Sequence, residues 1–144
     1  MATAQFGRVI TAMITPFTED GAVDYESAVA LAKHLVAHGS EGLLVGGTTG
    51  EGATMTAEEK LKLYTLIVDA VGKRGEGKKV PVMGNIGTIS TADTIAFGNK
   101  AKETGIDCAL VIVPFYVKPN QEGMYQHFTA VAKGVDLPLV LYNV

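Results

Sequence analysis

The chain has 144 residues, 47% of them hydrophobic, enough for one domain that buries roughly 70% of its unfolded surface. Its formal net charge is −3, and its 12 basic residues comprise only Arg8 and Arg74 beside lysines, which leaves no basic stripe to grip a phosphate backbone and excludes nucleic acid as an expected partner. The opening "MATAQFGR" lacks the charged-then-apolar order of a signal peptide, and no apolar run approaches the ~20 residues that span a bilayer, so the expectation is a cytoplasmic protein without a membrane partner.

The run "VITAMITPF" (9–17) reads as a first strand. Asp24 then caps a helix whose apolar stripe is Val29, Ala32, Leu35 and Val36, closed by Gly39. "GLLVGG" (42–47) is a second strand. Thr56, with Glu59 three residues on, forms a capping box for a second helix striped by Leu61, Tyr64, Val68 and Val71 and ended by Gly72. The basic connector "GKRGEGKK" (72–79) reads as a solvated loop leading to a third strand, "VPVMGNIG" (80–87). Ser90 or Thr91 caps a third helix that runs to Gly105, "CALVIVPFY" (108–116) is a fourth strand, Asn120 caps a fourth helix that runs to Gly134, and "PLVLYN" (138–143) is a fifth strand.

All five strands are expected to be buried on both faces. Strict β-α alternation forces parallel pairing through right-handed crossovers, so residues 1–144 form one α/β unit with helices covering a parallel sheet. Periodicity leaves two architectures open: a small doubly wound sheet of the flavodoxin type, or the first five strands of a (β/α)8 barrel.

In both, ligands bind beyond the carboxyl ends of the strands, where the sequence places Thr15-Pro16-Phe17, "GGTTGEG" (46–52), Gly84-Asn85, Pro114-Phe115-Tyr116 and Tyr142-Asn143. Hydroxyls dominate this set. A tyrosine with a reference pKa of ~10 is a poor base alone, but linked hydroxyls of Thr48, Thr49, Tyr116 and Tyr142 could relay a proton. The competing reading is that each tyrosine caps a core, ring buried and hydroxyl wet. "GGTTGEG" offers glycine backbone and threonine hydroxyls to a small carboxylate, or is simply a tight turn into the Thr56 helix; spacing does not separate the two. It is neither a Walker loop nor a dinucleotide fingerprint, so no cofactor is expected.

Other titratable residues carry less. His34 and His38 lie one helical turn apart with no third ligand in register, and read as surface residues rather than a metal site. His127 in "MYQHF" reads as packing against a neighbouring strand. Glu51 is the only acid at the strand ends and suits orienting backbone amides as well as proton transfer. The lone Cys108 inside "CALVIV" reads as buried filler, consistent with a reducing compartment.

Taken together, "ITPF", "GGTTGEGATMTAEEK", "DCALVIVPFYVKPNQEGMYQHF" and "LPLVLYNV" resemble the dihydrodipicolinate synthase and N-acetylneuraminate lyase family of class I aldolases, along essentially the whole chain. Paired threonines, where neuraminate lyases typically show Ser-Thr, lean toward the synthases. The resemblance implies half of a (β/α)8 barrel, with five parallel strands and four helices. The implied enzyme is a homo-oligomeric lyase condensing pyruvate with aspartate semialdehyde in lysine biosynthesis. It makes Thr48 and Tyr142 two members of a proton relay, and Tyr116 a third, delivered into a neighbouring subunit's site. Thr48 and Thr49 would hold the pyruvate carboxylate.

The family's Schiff-base lysine lies on a sixth strand, and an arginine for the second substrate follows "YNV"; the resemblance therefore implies an N-terminal fragment, inactive by itself. No lysine in the chain has a sequence reason to be desolvated. A sister 2-keto-acid aldolase or dehydratase, and a non-catalytic self-associating half-barrel, are the alternatives. Where lysine-inhibited members carry histidines, an asparagine and a tyrosine, this chain has Ala57, Lys60, Thr88 and Phe115, which implies weak or absent lysine feedback.

Overall fold

The computed structural model describes residues 6–73 and 75–143; Arg74 of the basic connector lies outside them. Its elements are β1 (Ile10–Ala12), α1 (Tyr25–Ala37), β2 (Gly42–Val45), α2 (Ala57–Val71), β3 (Val82–Asn85), α3 (Thr91–Glu103), β4 (Cys108–Ile112), α4 (Gln121–Gly134) and β5 (Leu139–Tyr142). Local chemistry sets the helix starts. The Asp24 carboxylate accepts from Ser27 N, Thr56 and Glu59 form the reciprocal capping box, and Ser90 rather than Thr91 caps α3 by accepting from Asp93 N. Asn120 does the same for α4. Gly39 and Gly105, both at positive φ, turn the chain after α1 and α3. Gly134 differs: it is the last residue of α4, and Val135 is the cap.

The strands pair in parallel in the order β1-β2-β3-β4-β5. A flavodoxin-type sheet reverses direction at a switch point, so sequential order rules that architecture out and leaves half of a (β/α)8 barrel. Alternation splits each strand between two faces. Leu43, Val45, Val82, Ala109 and Val111 point to the helices and join Ala28, Ala32, Leu63, Ile67 and Val68 in the main core. Each leucine, isoleucine or valine among them contributes about 1.5–3 kcal/mol by leaving water. Met83, Cys108 and Leu110 point the other way, with Leu44, Val140 and Phe6 packed on them.

Burial on both faces holds for the middle of the sheet only. β2 to β4 are almost wholly buried, whereas β1 and β5 are edges whose outer sides are unpaired, and Ile10, Leu141 and Tyr142 are exposed. The elements are also shorter than the apolar runs that announce them. β1 ends at Ala12; Met13 still donates to Leu44 O, and Phe17 then forms an antiparallel bridge with Val23.

Candidate active site

The segment Gly46–Thr56 leaves the end of β2 and folds against the ends of its neighbours. Asn85, at the end of β3, donates from Nδ2 to Gly46 O at 2.9 Å and accepts on Oδ1 from Gly87 N at 3.2 Å. The buried Thr15 hydroxyl donates to Gly50 O at 2.7 Å. Beneath these, Tyr64 of α2 is fully buried and donates its phenol to Asn85 O at 2.7 Å. Burial pushes that phenol far above its ordinary pKa, so it stays a donor. Gly46 has φ +67°, and a Cβ on Gly52 would lie 1.8 Å from Gly46 O, so this turn closes only with glycine at both places.

A cavity of about 510 Å3 opens beside this turn, at the carboxyl ends of the strands. Thr48, Asn85, Lys60, Ile112, Phe115 and Tyr142 are among its lining residues. Thr48 and Tyr142, singled out from sequence, therefore share one cavity although they come from β2 and β5. Thr49 is exposed beside Thr48 and is not part of the lining. Glu51 lines the cavity with φ +53°, an unfavourable conformation for a residue with a Cβ, and its amide donates to Thr48 O at 3.1 Å.

Tyr116 stands apart. It is 92% exposed, outside the cavity lining, on a segment with positive φ at Tyr116 (+64°) and Lys118 (+44°), flanked by exposed Phe115 and Val117.

His34 and His38 are exposed and stacked, ring centroids 4.0 Å apart, with His38 Nδ1 bonded to His34 O. Among the described residues no group of three or more His, Cys, Asp or Glu converges to hold a metal. Cys108 is buried, and burial together with the Asp107 charge pushes its thiol up to about 12, so it is inert filler. His127 is buried: its Nδ1 meets Thr91 Oγ1 of α3 at 2.9 Å, and Nε2 has no hydrogen-bond partner among the described residues.

One lysine departs from the sequence expectation. Lys60 on α2 is half-buried, its ammonium 4.7 Å from the centroid of the Phe97 ring, and desolvation lowers its pKa. Its helical spacing gave no sign of this, because burial comes from α3 and the cavity rim rather than from the α2 stripe.

Five parallel strands in sequential order, helices on one face, and a hydroxyl-bearing cavity at the carboxyl ends define the first half of a (β/α)8 barrel with its site where such barrels hold theirs. The match to the dihydrodipicolinate synthetase family runs over residues 5–144, and the chain belongs to that family. It is 55% identical over 139 residues to the 4-hydroxy-tetrahydrodipicolinate synthase of Symbiobacterium thermophilum, covering 96% of this chain and 46% of that protein. It superposes on the crystal structure of dihydrodipicolinate synthase from Bacillus anthracis with a TM-score of 0.91 at 44% identity, covering 99% of this chain and 47% of that one. It also superposes on the dihydrodipicolinate synthase of Acinetobacter baumannii complexed with pyruvate, with a TM-score of 0.89 at 39% identity, covering 99% and 46%. The chain thus spans about half the length of the relatives it matches.

Proposed function

We propose that this chain is the amino-terminal half of a 4-hydroxy-tetrahydrodipicolinate synthase, a cytoplasmic, homo-oligomeric, cofactor-free lyase that condenses pyruvate with aspartate semialdehyde. The observation that carries the reading is the meeting of Thr48 and Tyr142 in one cavity of a chain from this family. The pyruvate complex of the Acinetobacter relative supports the first substrate.

In this reading the Thr48 and Thr49 end of the β2 turn receives the pyruvate carboxylate, with the turn held open by Asn85 and Thr15. Thr48 and Tyr142 pass protons to and from the reacting carbon, and the outward Tyr116 completes the relay in a second subunit. The imine-forming lysine belongs to a sixth strand: none of the five strands here bears a lysine, and an amine poised for imine formation needs the desolvated interior of a closed barrel. The 144 residues alone then have no synthase activity. Lysine feedback is weak or absent, because Ala57, Lys60, Thr88 and Phe115 replace the residues expected of lysine-inhibited members.

The test joins this chain, after Val144, to the carboxyl-terminal half of the Symbiobacterium relative. The chimera should condense the two substrates, and Thr48→Val or Tyr142→Phe should lower kcat on the order of 10²-fold or more, as general acid–base groups do. Unchanged kcat in both variants would refute the assignment.

A further inference from the structure

His34, in the last turn of α1, and His38, its C-cap, take no part in the proposed chemistry. They lie toward the amino end of β2, whereas the cavity opens at the carboxyl ends of the strands. Residues four apart on a helix are surface neighbours. Here the two exposed rings also stack, with centroids 4.0 Å apart and planes 28° apart. The flanking positions on that side of α1, Ala30 and Ala37, are exposed alanines, so no bulky side chain of the helix covers the pair.

A backbone contact gives the pair a chemical direction. His38 Nδ1 lies 2.8 Å from His34 O. A carbonyl only accepts, so Nδ1 carries the proton and the lone pair of the neutral ring is left on Nε2. A ring N–H held by a backbone carbonyl is the arrangement that orients metal-binding histidines and makes the opposite nitrogen a better ligand. Metal–nitrogen bonds of about 2.0–2.1 Å at a tetrahedral angle set two ligand nitrogens ~3.3–3.4 Å apart, a separation that rings with centroids 4.0 Å apart reach by small rotations. Charge agrees with this, because the carbonyls at the end of α1 give that end a partial negative charge that favours a cation.

We propose that His34 and His38 form a two-histidine chelate for a transition-metal dication that favours imidazole, such as Zn2+, Ni2+ or Cu2+, with His38 binding through Nε2. Sequence spacing alone did not single out this pair; the stacked rings and the Nδ1 contact do. Among the described residues no group of three or more His, Cys, Asp or Glu converges, so water completes the coordination and the ion exchanges with solvent, unlike one enclosed by four protein ligands. Imidazole ligands set the order of preference, with Cu2+ above Zn2+ and with Mg2+, which demands oxygen, excluded. The bound ion would bridge the last turn of α1 to the residue just before Gly39, where φ is +109° and the chain turns toward β2. None of this uses the lyase reading, and the chelate stands whether or not that reading holds.

The experiment is a titration of the chelator-washed chain with Zn2+ at neutral pH, followed by calorimetry and by the nitrogen resonances of the imidazole rings. Zn2+ should bind saturably and move the ring nitrogens of His34 and His38 together, while those of the buried His127 stay in place. His34→Gln and His38→Gln should each weaken binding about tenfold or more, because the second ring closes on an ion that the first already holds. Zn2+ should raise the melting temperature of the native chain and leave that of either variant unchanged, since only the folded chain fixes the two rings together. Binding should also weaken in mildly acid solution, where protons compete for the ring nitrogens. Undiminished affinity in either variant would overturn the proposal, as would shifts confined to one ring, Mg2+ binding as tightly as Zn2+, or no saturable binding at all.

Discussion

Removing one oxygen, by Tyr64→Phe, tests whether the turn that carries Thr48 is held from below. The phenol is fully buried and donates to Asn85 O at 2.7 Å, and the side chain of the same Asn85 holds Gly46 O at 2.9 Å. Phenylalanine keeps the ring and its packing, so the loss is confined to the hydrogen bond and to a buried carbonyl left unsatisfied. That costs about 1–3 kcal/mol. For a domain of this size the melting temperature should fall by about 3–10 °C. Thermal denaturation measures the total, and amide exchange measures its location. Exchange should quicken at Gly50 and Glu51, in the turn, with α1 unaffected. A melting temperature within a degree of the native chain would show that Asn85 stands without Tyr64, and the support argument would fail.

Gly52→Ala places a Cβ where Gly46 O already lies, 1.8 Å away, so the turn must open at a cost of about 1–3 kcal/mol or more, read by urea unfolding. Thr56→Ala breaks the capping box of α2 and should cost about 0.5–2 kcal/mol in the same assay, with Thr56→Ser close to native. His127 has its pKa lowered from 6.5 by burial, so the unfolded chain takes up a proton before the folded one does. Stability should therefore fall as pH drops through 6.5, and His127→Gln should flatten that slope in melting curves recorded between neutral and mildly acid pH. The unpaired outer sides of β1 and β5, with Ile10 and Leu141 exposed, predict that the chain self-associates; sedimentation as a monomer at tens of micromolar would contradict this.

Caps and stripes were legible because they are local. Asp24, Thr56 with Glu59, and Asn120 each act within three residues, and sequence spacing is enough to find them. Strand order was not legible, because flavodoxin-type and barrel sheets share the same alternation and differ only in which edges pair. Burial of β1 and β5 was overread for the same reason: an apolar run states what a strand can bury, and its neighbours decide what it does bury. Thr48 and Tyr142, which line one cavity, were singled out by listing what stands at strand ends. Tyr64 was read as core from its stripe position, but the partner of its hydroxyl lies 21 residues away. Lys60 was missed because the Phe97 ring that covers it comes from a different helix.

The central claim is that these 144 residues carry the hydroxyl part of a lyase site and not its amine. The most direct measurement is the intact mass of the purified chain after incubation with pyruvate and borohydride, which fixes any imine as a stable adduct. The account predicts an unmodified mass, with Lys60 acting as a cation only. A pyruvyl adduct would contradict it, and peptide mapping to Lys60 would show that the half-barrel supplies its own nucleophile.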